Sequence, residues 1–317
     1  MLRVRLTRRT VEAEGVLGLE LKALDGKELP AFTAGAHVDV HLRDNMVRQY
    51  SLRGSTQDRS RYLLGVYRDP DSRGGSSFLH DGVAGGDVLT ISEPKNHFPL
   101  AEGSTASLLF AGGIGITPLL SMAAELNRQG QEFSMHYCGR SASRLAFADE
   151  LRASPYSNRV WFHLDDGSEQ QRLDARDAIG IWETGRHLYV CGPVGFMDFI
   201  LSSARNAGWP DAALHREYFG APQLTASGNR AFEIELRSSG KVIVVPASMT
   251  AAEALLSSGV DLSLSCEQGI CGACLTRVLK GAPDHRDTFL TEQEHLRNEC
   301  FTPCCSRALT ERLVVDL

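Results

Sequence analysis

Residues 266–274 read CEQGICGAC, with four residues between the first two cysteines and two between the second pair. Three thiols on so short a loop call for a shared partner, and zinc, a disulfide framework and an iron–sulfur cluster all gather cysteines. Downstream, FTPCCSRAL (301–309) brings Cys304, with twenty-nine residues intervening after Cys274. The resulting spacing, C-x4-C-x2-C followed by a distant fourth cysteine, is that of a plant-type two-iron centre. Zinc sites more often pair their thiols as C-x2-C twice, each pair giving two corners of a tetrahedron. The leading gap of four therefore favours a [2Fe–2S] cluster on Cys266, Cys271, Cys274 and Cys304 over a zinc knuckle or inert buried thiols. Gly269, Gly272 and Ala273 suit it, because small residues let backbone N–H groups point at sulfur. Cys305 stays open as an alternative fourth ligand, whereas Cys300 lies among polar neighbours.

The other two of the eight cysteines, Cys138 and Cys191, sit singly in apolar, strand-like stretches. The N-terminus, MLRVRLTRRTVEAEG, alternates apolar and basic residues and has no continuous apolar core of a signal peptide, so a cytoplasmic protein without structural disulfides is expected. Gly103 to Ala124 is free of charge and long enough to suggest a membrane span. It contains AGGIGITP, however, whose glycines and proline fit strand, turn and helix better, so no membrane segment is expected. A net charge of −6 and the lack of any Lys/Arg run argue against a nucleic-acid partner.

The 317 residues exceed one ordinary domain. In the first hundred, VDVHL (38–42), RYLLGVYR (61–68) and VLTIS (88–92) are short strand-like runs without helices between them. They imply an antiparallel barrel or sandwich. From residue 104 the rhythm changes to strands at SLLFAGG, EFSMHYCGR, RVWFHLDD and HLYVCGP separated by helix-length intervals, the pattern of an α/β domain with a parallel sheet. APQLTASGNR (221–230) reads as a linker. FEIEL and KVIVV then form a hairpin around SSG, Thr250 and Glu253 have capping-box spacing, Gly259 can close the helix, and LVVDL ends the chain as a strand. The expected division is 1–100, 101–221, a linker at 222–230, and 231–317.

In AGGIGITP (111–118), Gly112, Gly113 and Gly115 let the backbone approach a phosphate at a helix N-terminus, with Pro118 in the first turn. It is not the full G-x-G-x-x-G fingerprint, since proline takes the third glycine's place. Together with RQYSL (48–52) and YVCGP (189–193), this stretch resembles the ferredoxin–NADP reductase superfamily. The resemblance covers essentially the whole chain. The order of a flavin barrel, a nucleotide domain and a C-terminal β-grasp ferredoxin is similar to the phthalate dioxygenase reductase and vanillate demethylase reductase group.

The resemblance implies that Arg48, Tyr50 and Ser51, with Tyr67, Arg68, Thr117 and Phe219, line a flavin, Tyr218 having claims similar to those of Phe219. Arg73, Gly74, Gly75 and Ser76 of SRGGSS would hold a terminal phosphate, which favours FMN over FAD. Gly112, Gly113, Gly115, Arg140, Cys191, Gly192 and Pro193 would hold NADH. Arg140, with Arg144 nearby, is a departure that could pair with the extra phosphate of NADPH. The Cys-x-Ser-Arg-Ala ending favours Cys304 as the fourth ligand. The implied function is electron transfer from NADH through FMN and the two-iron cluster to a separate terminal oxygenase. A Rieske-type non-haem iron enzyme is the leading partner, with a cytochrome P450 partner, a free flavin reductase and a zinc-holding sensor as the competing readings. No side chain is required as general acid or base, and a docking face is expected around Glu267, Gln268 and Arg307.

Overall fold

Alternation shapes the N-terminus: Val4 and Leu6 are fully buried while Arg3 and Arg5 face solvent, so LRVRL is a half-buried strand rather than a charged tail. The computed structural model describes residues 1–43, 46–70, 72, 74–219, 229–264, 269–270 and 272–317. The strand, β1 (Leu2–Ala13), turns at Gly15 (φ 73°) into β2 (Val16–Ala23). They are followed by β3 (His37–His41), β4 (Val47–Ser51), β5 (Tyr62–Tyr67), helix α1 (Gly75–Asp81) and β6 (Val88–Ile91). The antiparallel order is β4-β3-β6-β1-β2-β5. Just past β4, the Arg53 N–H donates to the Leu63 carbonyl of β5 at 3.0 Å, so the two edges of the sheet draw together as a barrel, not a sandwich. Val38, Val40, Leu64, Val66, Ile91 and Leu79 of α1 fill its interior.

The second sheet is parallel. It comprises β7 (Ala106–Gly112), β8 (Glu132–Gly139), β9 (Val160–Leu164), β10 (Arg186–Cys191) and β11 (Leu214–Glu217), in the order β11-β10-β7-β8-β9. Leu109 and Ala111 of β7 join the core under α2 (Ile116–Arg128), while Leu108 and Phe110 point to the opposite face and are equally buried. A strand covered on both faces explains the continuous apolar run in the sequence. Helices α3 (Ala148–Arg152), α4 (Ala175–Ile179) and α5 (Val194–Asn206) complete the alternation. Both sheets belong to one compact unit, Met1–Glu217. No helix among the described residues is long and apolar enough to cross a membrane, and Gly103–Ala124 resolves into β7, a 3₁₀ turn and α2.

The second unit, Tyr218–Leu317, contains β12 (Phe232–Leu236), β13 (Val242–Val245), α6 (Ala251–Ser257), β14 (Thr276–Lys280), β15 (Pro283–Asp284), α7 (Glu292–Arg297), β16 (Cys300–Phe301), β17 (Arg307–Ala308) and β18 (Arg312–Val315). Its main sheet runs β13-β12-β18-β14-β16, with β12 and the terminal β18 parallel at the centre. The capping box at Thr250 and Glu253 forms as expected, and α6 buries Ala251, Ala254 and Leu255 against the sheet.

Arg307 corrects one expectation. It is buried, donates to the carbonyls of Met249, Arg230 and Pro246 at 2.7–3.0 Å, and lies over the Phe232 ring. It is an internal clamp and cannot present a docking charge; Glu267 and Gln268, its expected companions, lie outside the described residues. Arg307→Met keeps the stem but removes the donors, and hydrogen bonds to a charged group each contribute about 1.5–3 kcal/mol. Thermal denaturation should show the C-terminal unit losing several degrees at least, with the first unit unshifted; an unchanged transition would return Arg307 to the surface.

Candidate functional site

The parallel sheet supplies the first site by its topology. The chain leaves β7 toward β8 on one side and returns on the other at β10, and the carboxyl ends of two such strands bracket a binding crevice. Here the crevice is lined by backbone. Gly113 adopts φ 54° in the turn between β7 and α2. A Cβ on Gly115 would collide with the Cys191 carbonyl, and one on Gly192 would sit 2.9 Å from the Cα of Gly112. One on Gly112 would stand 3.0 Å from the Pro193 ring. The glycine turn and the Cys-Gly-Pro turn are thus packed main chain on main chain, which is why both need glycine.

The barrel reaches the same place. Thr117, at the start of α2, is buried and donates its hydroxyl to the Ile114 carbonyl at 3.0 Å. Its methyl faces Gly65 of β5, where a Cβ would lie only 2.6 Å away. At the end of β4 the Ser51 hydroxyl donates to Glu217 at 3.4 Å, and Glu217 pairs in register with Cys191. Burial raises the Glu217 carboxyl to about 8, against which the Ser51 hydrogen bond acts only in part. Burial also pushes the Cys191 thiol well above its usual range, the Glu217 charge adding to it. A buried, un-ionised thiol is a neutral wall and not a nucleophile.

Glu217 escaped the sequence reading. The signal available was its place at the strand end immediately before the aromatic pair of REYFG. Of the expected flavin residues, Tyr50 is desolvated, which drives its phenol well above the ordinary range. The Arg48 stem crosses the N-terminal end of α1, where a Cβ on Gly75 would stand 2.7 Å from its Cγ. Gly74 caps that helix at φ 98°, and the Ser76 hydroxyl accepts the Asp69 N–H at 3.2 Å. Arg68 forms a two-pronged ion pair with Asp81 at 2.7 and 2.9 Å, and Tyr67 is 40% exposed beside Gly15. Arg140 is exposed just past the end of β8, while Arg144 is held by Glu14 at 2.7 Å. Phe219, 43% exposed, begins the second unit with Tyr218. Arg73 lies outside the described residues, as does most of the expected linker.

The second site lies around the cysteine loop. Cys274 and Cys304 are buried together against Ala252 of α6, and the Gly269 N–H donates to the Cys304 sulfur at 3.2 Å. Cys304 is within hydrogen-bonding reach of both Cys274 and Cys305, but Cys305 is the more exposed and leans on the Thr302 hydroxyl at 3.3 Å. Gly269 and Gly272 take φ 71° and 68°, and a Cβ on either would collide, with the Cys305 sulfur or the Phe289 ring. Cys300 sits in β16, in register with Arg277. Cys266 and Cys271 lie outside the described residues. Among the described residues the cysteines are free thiols.

Comparison with known proteins fits both sites. An oxidoreductase NAD-binding domain matches residues 109–202, and a 2Fe-2S iron-sulfur cluster binding domain matches 234–309. The chain is 48% identical over 317 residues, all of both proteins, to the vanillate O-demethylase oxidoreductase of Pseudomonas sp. (strain HR199 / DSM 7063). It belongs to the family of oxygenase reductases. A solved phthalate dioxygenase reductase, described as modular and transferring electrons from pyridine nucleotides to [2Fe-2S], superposes with a TM-score of 0.80. That match is 36% identical and covers 100% of this chain and 98% of the other. An intact type IV self-sufficient cytochrome P450 monooxygenase matches all of this chain with 41% of its own length, at 35% identity and a TM-score of 0.81. The chain is accordingly an oxidoreductase of the kind that serves oxygenase systems as their reductase component, with a nicotinamide nucleotide and a terminal oxygenase as its partners.

The raised Glu217 has a consequence in solution. Its carboxyl titrates near 8 in the folded protein against 4.5 unfolded, so the folded state favours the protonated form and loses stability as pH rises across that window. Glu217→Gln removes the titration. Its melting temperature should equal that of the wild type near pH 5 and exceed it near pH 8.5; a gap that is the same at both values would contradict the assignment.

Proposed function

We propose that this reductase carries electrons from NADH through FMN and a [2Fe–2S] cluster to a Rieske-type non-haem iron oxygenase that demethylates an aryl methyl ether. The observation that carries the reading is the meeting of Ser51 from the barrel with Glu217 and Cys191 from the parallel sheet. It brings the end of β4 to the carboxyl end of the parallel sheet, which supports a hydride donor and its acceptor sharing one dry place. The substrate class follows from the full-length likeness to a vanillate O-demethylase oxidoreductase.

The residues present fit these groups. Tyr50 and Ser51 would line the ring, with Thr117 at its edge. Arg48 lies across the N-terminal end of α1 at Gly75, where a terminal phosphate would meet a guanidinium together with the N–H groups of Gly75 and Ser76. That favours FMN. Gly113, where a Cβ would meet nothing within 4 Å, would let a nucleotide reach the main chain beside the turns that Gly112, Gly115 and Gly192 pack together, and Cys191 stays neutral so that no thiolate opposes the hydride. Because Glu14 occupies Arg144, only Arg140 of the two candidates is left to meet the additional 2′-phosphate of NADPH, which supports NADH as donor. Cys266, Cys271, Cys274 and Cys304 would hold the cluster, the Gly269 N–H steadying the last sulfur. When bound, a flavin supplies what neither neighbour can, conversion of a two-electron hydride into the single-electron steps an iron–sulfur centre accepts. The chain places, desolvates and steadies, and needs no acid or base of its own.

A second reading has one observation in its favour, the match to the P450 monooxygenase, which would make the partner a haem protein. Turnover of the purified chain with each candidate oxygenase separates the two.

Anaerobic titration with NADH and NADPH in turn, followed by absorbance and EPR, tests the reading. NADH should reduce flavin and cluster in sequence, with NADPH the poorer donor. Gly115→Val drives a branched side chain into the Cys191 carbonyl and should slow reduction by NADH about 100-fold, while dithionite still reduces the cluster. Absence of iron, acid-labile sulfide and FMN from oxygen-free preparations would end the proposal.

A further inference from the structure

His285, Asp287 and His295 offer three ligand atoms that all lie within 4.8 Å of one another, an arrangement none of the functional residues above requires. The Asp287 carboxylate is completely buried, with one oxygen 3.3 Å from His295 Nε2 and the other 3.7 Å from His285 Nδ1. The two imidazoles stack at 4.4 Å. The His285 side chain is 9% exposed, and its Nδ1, facing the carboxylate at a distance too long for a hydrogen bond, has no hydrogen-bond partner. A buried, unpaired ring nitrogen aimed at a carboxylate is costly unless something joins them. Its other nitrogen, Nε2, lies 3.2 Å from the Asn298 side-chain oxygen, the kind of outer contact that fixes a metal-ligating imidazole.

We infer that His285, Asp287 and His295 form a binding site for a divalent transition cation of the zinc class, separate from the cysteine loop. Two imidazoles and one carboxylate make a donor set for zinc, with a fourth position for water. Ligand atoms around tetrahedral zinc stand about 3.3 Å apart, so the His295–Asp287 edge already has the right length. A small turn of His295, at 27% exposure the freer ring, closes the remainder. Asp287 also accepts from the Leu290 N–H and the Ser306 hydroxyl, and a carboxylate has lone pairs enough for these contacts and a metal. The ion would tie α7 to the segment after β15. That segment braces the cysteine loop, since the Thr288 N–H donates to the Gly269 carbonyl at 3.0 Å and Phe289 covers Gly272. The inference is independent of which oxygenase the protein serves.

The test uses the full chain with its iron–sulfur centre intact. Adventitious metal is removed with a mild chelator, Zn²⁺ is added by equilibrium dialysis, and zinc, iron and sulfide are counted together. The expected result is about one zinc per chain with iron, sulfide and visible spectrum unchanged, and affinity reduced tenfold or more in His285→Gln and in His295→Gln. His295→Gln is decisive if His285→Gln folds poorly, because its ring is partly exposed, and the visible spectrum shows that each variant is folded. Failure to bind stoichiometric zinc, equal binding by the double variant, or uptake of zinc matched by loss of iron would each overturn the site.

Discussion

The reductase depends on two turns touching without side chains between them. Where β7 gives way to α2 and β10 to α5, the main chains of Gly112, Gly115, Cys191 and Gly192 leave no room for a Cβ. The contact closes the sheet at its switch point, so the architecture and the proposed nucleotide site rest on the same bare backbone. It also fixes the height of Cys191, and through the β10–β11 register that of Glu217, opposite Ser51. An insertion of one methyl group at Gly115 would be felt along this whole series of contacts.

Desolvation gives the site its chemical character. Tyr50, Cys191 and Glu217 are all driven toward their uncharged forms, the first two well outside their ordinary ranges and the third to about 8. On the proposed reading, a place that removes charge from its own walls would not compete with the charge that moves during hydride transfer. This differs from sites in which a base is tuned to take a proton.

What could be read from the sequence was local in the chain. The C-x4-C-x2-C run, the glycine turn and the capping box at Thr250 are complete within a few residues, and the structure forms the capping box and glycine turn as written. The alternation of strand and helix after residue 104 was legible for the same reason. Features formed between distant segments were not. Glu217 acquires its role from Ser51, 166 residues away. The His285, Asp287 and His295 group is local too, within eleven residues, but its spacing matches no ligand motif and it shows only in the placing of His295 on α7 beside Asp287. Arg307 looked like a surface charge because the three carbonyls it clamps come from two segments far from it in the chain, Arg230 and the Pro246–Met249 turn. β1 was visible as an alternation of apolar and basic residues at the N-terminus, but that alternation was read only against a signal peptide, and β1 and β2 were not counted among the strands.

Gly65 has a meaning for how such molecules can be taken apart. Its missing side chain admits both Thr117 and Phe147 against β5, so the barrel and the sheet that follows it are fitted to each other like key and ward. Exchange of parts between relatives should therefore respect a seam after Glu217, where one compact unit ends, and move the two preceding sheets as a pair. A chimera spliced between them would have to rediscover the fit of a threonine methyl and a phenyl ring against bare backbone.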